Sequence, residues 1–255
     1  MSETTAAPAT GRFIRAALVI FPAGTIILGI LSFGIWWWKR ERVEQRGYQY
    51  ALALRRDLSE SGLSRHASIL HEALSRADMP RFQAVAAYLE SSMGAENMGY
   101  HVRRERARVN GMEVSDVEVE LTGRQRPREV VLLLVPYGFA ARAAEESRAL
   151  AMMMSLAHAI TGEVRARTLR LAVLPLGADP GALLRLTTAC DTRRERLVEV
   201  LVPGGEESGC MSALENALQP ARTGVIIKSL PAPADTGAAL AAAAALRREL
   251  LRSAE

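Results

Sequence analysis

Val130-Val131-Leu132-Leu133-Leu134-Val135 is six apolar residues in succession, entered from Arg128-Glu129 and closed by Pro136. A strand with one wet face alternates apolar and polar residues, so an unbroken run reads as a central strand covered by helices on both faces. Strands are also expected at Tyr100 to Arg106, Val114 to Leu121, Leu169 to Leu174, Leu197 to Val202 and Gly224 to Ser229, with the central one spanning Glu129 to Val135. Helical spacing runs from Pro80 to Ser92 and from Ala143 to Ile160. The tract Ala238 to Ala245, continuing to Leu251, reads as a closing helix. This alternation predicts a three-layer α/β/α domain around a mixed, mostly parallel sheet.

Upstream lies a second unbroken apolar run, Ala16 to Trp38, without Asp, Glu, Lys, Arg or His. As a helix it would extend roughly 34 Å, enough to cross a hydrocarbon core of about 30 Å. A cleaved signal peptide would be shorter and end in small residues, whereas this run ends in Trp36-Trp37-Trp38-Lys39-Arg40, a pattern suited to the headgroup level. Pro22, Gly24, Gly29 and Gly34 fit a bilayer span better than a soluble core helix. Arg12 and Arg15 precede the run, while Lys39, Arg40, Arg42 and Arg46 follow it, which favours a cytoplasmic C-terminal side. The expected organisation is a short polar tail (residues 1–15), a transmembrane helix (16–38), a helical neck (39–79) and an α/β domain (80–255).

The neck is suggested by apolar residues at helical spacing, Tyr48, Leu52, Leu54 and Leu58, then Leu63, Ile69, Leu70 and Leu74, with Gly62 expected to break it in two. His66 and His71 stand five apart, so they do not share the face that a helical metal pair needs. The chain carries a formal net charge of +4 from arginines scattered among nearly as many acids. That balance favours a solvated surface or attraction to anionic lipid over nucleic-acid binding. Cys190 and Cys210, the two cysteines, form no C-x-x-C motif. Ser147 and Ser155 with His158 on one helix could suggest a nucleophile and base, but no orienting acid or oxyanion hole is marked. Met152-Met153-Met154 reads as packing, and Gly204-Gly205 as a turn.

The segments Arg81 to Glu90, Met98-Gly99-Tyr100-His101-Val102 and Val117 to Gly123, in this order, resemble the entry to the di-zinc aminopeptidase family. That family includes glutaminyl cyclase-like enzymes, the transferrin receptor ectodomain and the peptidase-like subunit of GPI transamidase. The resemblance covers roughly Pro80 to Leu251 and implies a zinc-exopeptidase sandwich with two zinc ions held by His, Asp and Glu at strand ends. Residue by residue, the implied ligands are missing. The His-x-Asp position reads Pro136-Tyr137-Gly138. Near the bridging Asp stands only Glu145, and Glu145 and Glu146 read more simply as first-turn helix acids. The paired glutamates fall on Gly177-Ala178, with Asp179 adjacent. The next strand ends in Pro203-Gly204, and Pro231 replaces the last His, ahead of Asp235-Thr236.

A zinc site needs about four ligands at about 2 Å, so a degenerate member without zinc or other cofactor and without catalytic residues is expected. The resulting expectation is a membrane-tethered, noncatalytic interaction or assembly module. Its partners would be the bilayer and another membrane or envelope protein, not nucleic acid. The alternative is a zinc hydrolase of the same family with altered ligands. The resemblance implies an extracytoplasmic domain, against the charge bias.

Overall fold

The computed structural model describes residues 28–39, 49–50, 52–76, 80–139, 142–205, 209–218 and 224–255. The chain divides into two compact units, Met1–Gln49 and Tyr50–Glu255. In the first, residues 28–39 form helix α1. Its Leu28, Ile30, Leu31, Phe33, Ile35 and Trp36 to Trp38 are all exposed, and the Phe33 ring lies 5.8 Å from that of Trp36 and 6.1 Å from that of Trp37. Among the described residues, no helix is long and apolar enough to cross a membrane. The expected tail, residues 16–27 of the expected span, and Arg12, Arg15, Arg40, Arg42 and Arg46 lie outside the described residues.

The second unit is built on a six-stranded sheet, β1 (Arg103–Val109), β2 (Met112–Leu121), β3 (Arg126–Pro136), β4 (Arg167–Leu174), β5 (Arg196–Pro203) and β6 (Ile226–Leu230), ordered β1-β2-β4-β3-β5-β6. The β1/β2 and β2/β4 pairs are antiparallel, while β3/β4, β3/β5 and β5/β6 are parallel. The Val130 to Val135 run is β3, at the middle of the parallel part, and all six of its residues are fully buried. Successive side chains point to opposite faces. Val131, Leu133 and Val135 therefore join one apolar cluster, with helices α2 (Glu60–Ser75), α3 (Arg81–Met93), α4 (Ala143–Ile160) and α7 (Thr236–Ser253). Val130, Leu132 and Leu134 join the other, with α5 (Ala182–Thr192) and α6 (Met211–Leu218).

Two boundaries differ from expectation. The helical break lies at residues 55–59, not at Gly62, because Ser59 caps α2 by accepting the Gly62 N–H on its hydroxyl at 3.2 Å. Helix α2, inside the stretch read as a neck, packs on α3, α4 and α7 with Leu63 and Leu70 fully buried. Strand β1 starts at Arg103, since Tyr100 instead turns inward and donates its hydroxyl to the Ala157 carbonyl at 2.6 Å. At the far end Asp235 caps α7 by accepting the Ala238 N–H at 2.7 Å. Cys190 and Cys210 are both buried.

Beneath α5 the sheet carries charge instead of hydrocarbon. Asp116, Glu118 and Glu120 alternate along β2 with Val117 and Val119. The Arg170 side chain of β4, fully buried, donates to both Glu195 oxygens at 2.7 Å and to Glu120 at 2.8 Å. A buried guanidinium is tolerated when its charge is matched in this way, and here the Glu118 carboxylate also lies 3.6 Å from Nε. Arg185 of α5 holds Asp116 with two bonds of 2.8 and 2.9 Å. Burial nonetheless pushes the Asp116 carboxyl up to about 6, against the pull of Arg185.

Candidate functional site

In a parallel sheet, ligands gather where the strands end, because loops and helix N-termini converge there. Strands β3, β4, β5 and β6 finish at Pro136, Leu174, Pro203 and Leu230, with Pro136 paired to Leu174 and Pro203 to Leu230. Helix α4 begins beside them. Every position that the resemblance marks as a ligand or base lies on this edge.

The loops after β3 and β4 are in direct backbone contact. The Tyr137 N–H donates to the Leu174 carbonyl at 3.0 Å, and the Gly177 N–H donates to the Tyr137 carbonyl at 3.1 Å. A Cβ added to Gly177 would lie 2.3 Å from the Gly138 carbonyl carbon and 2.4 Å from Gly138 O and Phe139 N. Gly138 adopts φ +91°, a left-handed conformation that favours glycine, and a Cβ there would meet the Phe82 ring at 2.8 Å. The positions that would carry the ligands are thus filled by main chain. What remains is a crevice of about 20 Å³ between Pro136, Phe139, Glu146 and Pro203, room for about one water molecule.

The acids on this edge are engaged with protein partners. Glu146 accepts the Gly138 N–H at 2.9 Å and the Phe139 N–H at 2.7 Å, one on each oxygen. Burial raises its carboxyl above the ordinary range, and these two donors oppose the shift. Glu145 is bound by Arg142 through Nε at 2.8 Å and Nη2 at 2.6 Å. Asp179, almost fully buried, accepts the Gly181 N–H at 2.9 Å and pairs with Arg185 Nη1 at 2.7 Å. The Tyr137 ring lies 5.9 Å from the Phe82 ring, centroid to centroid, and its buried hydroxyl has no hydrogen-bond partner among the described residues.

The sequence named Glu145 as the one acid near the bridging position; the structure puts Glu146 there as well, and it is Glu146 that reaches the loop. The reason is helical geometry, since adjacent residues project about 100° apart. Ala178 folds back, its N–H donating to the Pro175 carbonyl at 2.9 Å. Among the described residues, no three His, Cys, Asp or Glu side chains come together as a metal would require. Proline, glycine and alanine at the marked positions offer no side-chain lone pair, so this donor set does not fit a zinc pair.

The remaining sequence candidates separate. Ser147 donates to its own helix at the Ala144 carbonyl, 3.0 Å away. Met152, Met153 and Met154 are buried in the core. Ser155 and His158 sit toward the other end of α4, beside a separate groove that also involves His66. Sequence reading weighed His66 only against His71 and His158 only against the serines of its own helix, and missed that α2 and α4 bring His66 and His158 to one groove.

No protein-family model matches the chain, and no curated protein matches it in sequence. Solved structures do match in fold. A protein assigned as a Zn-dependent exopeptidase from Bacteroides vulgatus superposes with TM-score 0.56 at 7% identity, covering 77% of this chain and 97% of that one. Glutaminyl cyclase from an Acidobacteriales bacterium gives 0.54 at 8% identity, covering 78% and 97%. Glutaminyl cyclase from Bacteroides thetaiotaomicron gives 0.54 at 8% identity, covering 79% and 100%. The second unit therefore has the fold of zinc-dependent exopeptidases and glutaminyl cyclases, the fold that the order of motifs implied.

Proposed function

We propose that this chain is a single-pass membrane-anchored protein whose exopeptidase-like domain is noncatalytic and acts as an interaction or assembly module. The observation that carries the reading is the contact of Gly177 with the Gly138-Phe139 backbone, which fills with main chain the space where an exopeptidase of this fold would need ligating side chains. Among the described residues, the acids Glu145, Glu146 and Asp179 on that edge are occupied by Arg142, two backbone N–H groups and Arg185. A fold without its chemistry is kept for its surface or its placement.

The apolar run Ala16 to Trp38, with Trp36, Trp37 and Trp38 ahead of Lys39 and Arg40, supports the anchor. The proposed partners are the bilayer and a second membrane or envelope protein. The surplus of Lys and Arg after the run favours a cytoplasmic domain, whereas the likeness to exopeptidases favours an extracytoplasmic one. Protease added to intact spheroplasts separates these: digestion of the domain places it outside, protection places it inside.

The reading is tested by metal analysis of the purified full chain together with an aminopeptidase assay. The expected result is zinc well below one equivalent after mild dialysis, and no turnover. Stoichiometric zinc that Glu145→Ala or Glu146→Ala removes, accompanied by peptide hydrolysis, would overturn it in favour of a hydrolase with altered ligands.

A further inference from the structure

A cavity of about 610 Å³ in the second unit lies between the N-terminal end of α2, α3 and the C-terminal end of α4. Along α4 it is roughly 14 to 18 Å from Glu146, counted from Ser155 and His158 at about 1.5 Å per residue. Its volume is in the range of small-molecule sites. Its lining is mostly polar, including Arg56, Arg65, His66, Tyr88, Ser155 and His158.

Three features give this groove a preference of sign. First, Arg56 and Arg65 are exposed at its rim, and neither forms an ion pair among the described residues. Arg55, one residue away, is by contrast consumed by the Ala159 carbonyl and Glu163. Second, the start of α2 enters the lining at Ser59, Ser61 and Gly62, and a helix N-terminus presents N–H groups and partial positive charge. Third, the opposing negative end of α4 is already capped. Its Ala157 carbonyl accepts from Tyr100 and Thr161, the His158 carbonyl from the Arg56 N–H, and the Ala159 carbonyl from Arg55. The single carboxylate in the lining is Asp57, which is exposed. A bound cation would face two guanidinium groups, so the histidines here do not read as metal ligands.

Polar groups inside the groove are also left over. Ser155 is only 8% exposed, and its hydroxyl has no hydrogen-bond partner among the described residues. The buried Nε2 of His158 likewise has no partner of good geometry among the described residues, although the Leu54 and Asn97 backbone lies close enough to favour the protonated ring. An unsatisfied buried hydroxyl costs stability and is kept where something supplies its partner. His66 is already oriented, its Nδ1 lying 2.8 Å from the Tyr88 hydroxyl.

We infer that the groove between α2, α3 and α4 binds an anionic phosphate monoester, held by Arg56 and Arg65 at the rim and by Ser155 and His158 within. The inference goes beyond the noncatalytic reading above and stands whichever way the strand-end edge is decided. Burial lowers the pKa of both histidines, with His158 and Arg65 adding to the effect at His66 and Arg56 adding at His158. A bound dianion would stabilise their protonated forms. The charged and titratable groups facing them are Arg56 and Asp57 before α2, Arg65 on α2 and Tyr88 on α3. Binding is therefore expected to take up protons and to tighten from pH 8 toward pH 6, as far as the second phosphate ionisation allows.

The test is isothermal titration of the full chain in neutral detergent with glycerol phosphate, and separately with a water-soluble short-chain phosphatidic acid. Saturable binding is expected, weakened about tenfold or more by Arg56→Gln/Arg65→Gln. Ser155→Ala should weaken it by a smaller factor. Equal affinity for the two probes means that the phosphate monoester alone is recognised, whereas tighter binding of the lipid, including binding of the lipid alone, assigns the source to a headgroup. The arginines are exposed, so an unchanged thermal midpoint is expected, and Arg65→Gln alone serves if the double variant loses stability. Absence of saturable binding of either probe, or affinity unchanged in folded arginine variants, overturns the inference.

Discussion

The two ends of α4 treat their polar groups in opposite ways. At the N-terminal end, Glu145 and Glu146 are matched to Arg142 and to the Gly138 and Phe139 N–H groups, and the loops touch main chain to main chain. At the C-terminal end, Ser155 keeps a buried hydroxyl without a partner among the described residues, and Arg56 and Arg65, which form no ion pair among them, stand with His158 beside a cavity of about 610 Å³. A site's traditional location in a fold therefore does not tell where the chemically unsaturated groups are. The closed end has become structure, and the open end retains the potential to bind.

Four changes would break or sharpen this contrast. The largest effect is expected from Gly177→Ala, whose new methyl group would overlap the Gly138 and Phe139 backbone, atoms with no flexible side chain to yield. A loss of about 3 kcal/mol in urea unfolding is expected; a neutral result would show that the two loops are not locked together. Next, Glu146→Ala strips the acceptor from two N–H groups at once and should cost about 2 kcal/mol, with Glu146→Gln losing about half as much. If Glu146→Ala were neutral in the same unfolding assay, the carboxylate would not be holding the loop.

The third effect is on pH dependence. Since folding depresses the pKa of His66 and His158, the unfolded chain takes up protons first as the pH drops below about 6.5, and the stability these residues contribute is lost on acidification. Asp116, pushed up to about 6, has the opposite sign, because its folded form holds a proton that the unfolded form releases. The useful readout is therefore the difference between the parent and His66→Asn/His158→Asn, in which Asp116 cancels. The parent should lose more stability between pH 7 and pH 5; equal losses would contradict the burial of the two rings. The smallest effect belongs to Ser155→Ala. Removing an unpartnered hydroxyl should leave unfolding within about 0.5 kcal/mol of the parent or raise stability slightly. A large loss would reveal a structural hydrogen bond and remove the contrast with Glu146.

Much of the domain was legible from the chain because its strands are short apolar runs bounded by turns. Val130 to Val135 announced burial on both faces, and the six expected strands all appear, with Tyr100 giving way to Arg103 at the start of β1. The closing helix was visible in its alanines, which pack at Ala239 and Ala243. Residue type alone decides whether a side chain can donate, so Pro136, Gly177 and Pro231 could be set aside as ligands from the sequence. What could not be read was contact at a distance. Arg170 looked like an ordinary charge, and only the register of β2 with β4 sets it opposite Glu120. Ser155 and His158 appeared as helix surface residues, since nothing local says that α2 will lie across their end of α4. The role of Glu146 was equally hidden, because first-turn acids are common and only the position of the Gly138 loop distinguishes it from Glu145.

The closeness of Gly177 to Gly138 also bears on engineering. A glutamate placed at residue 177, or a ligand at 138, would not make a metal site, because the first carbon of the new side chain would have no place to stand. Both loops would have to move before any ligand could help, and each intermediate would carry the penalty without the reward. The packing thus acts as a barrier that no single substitution on this edge opens without first straining the backbone. A laboratory library limited to point changes on this edge is expected to return unstable proteins, not ones with a new metal site.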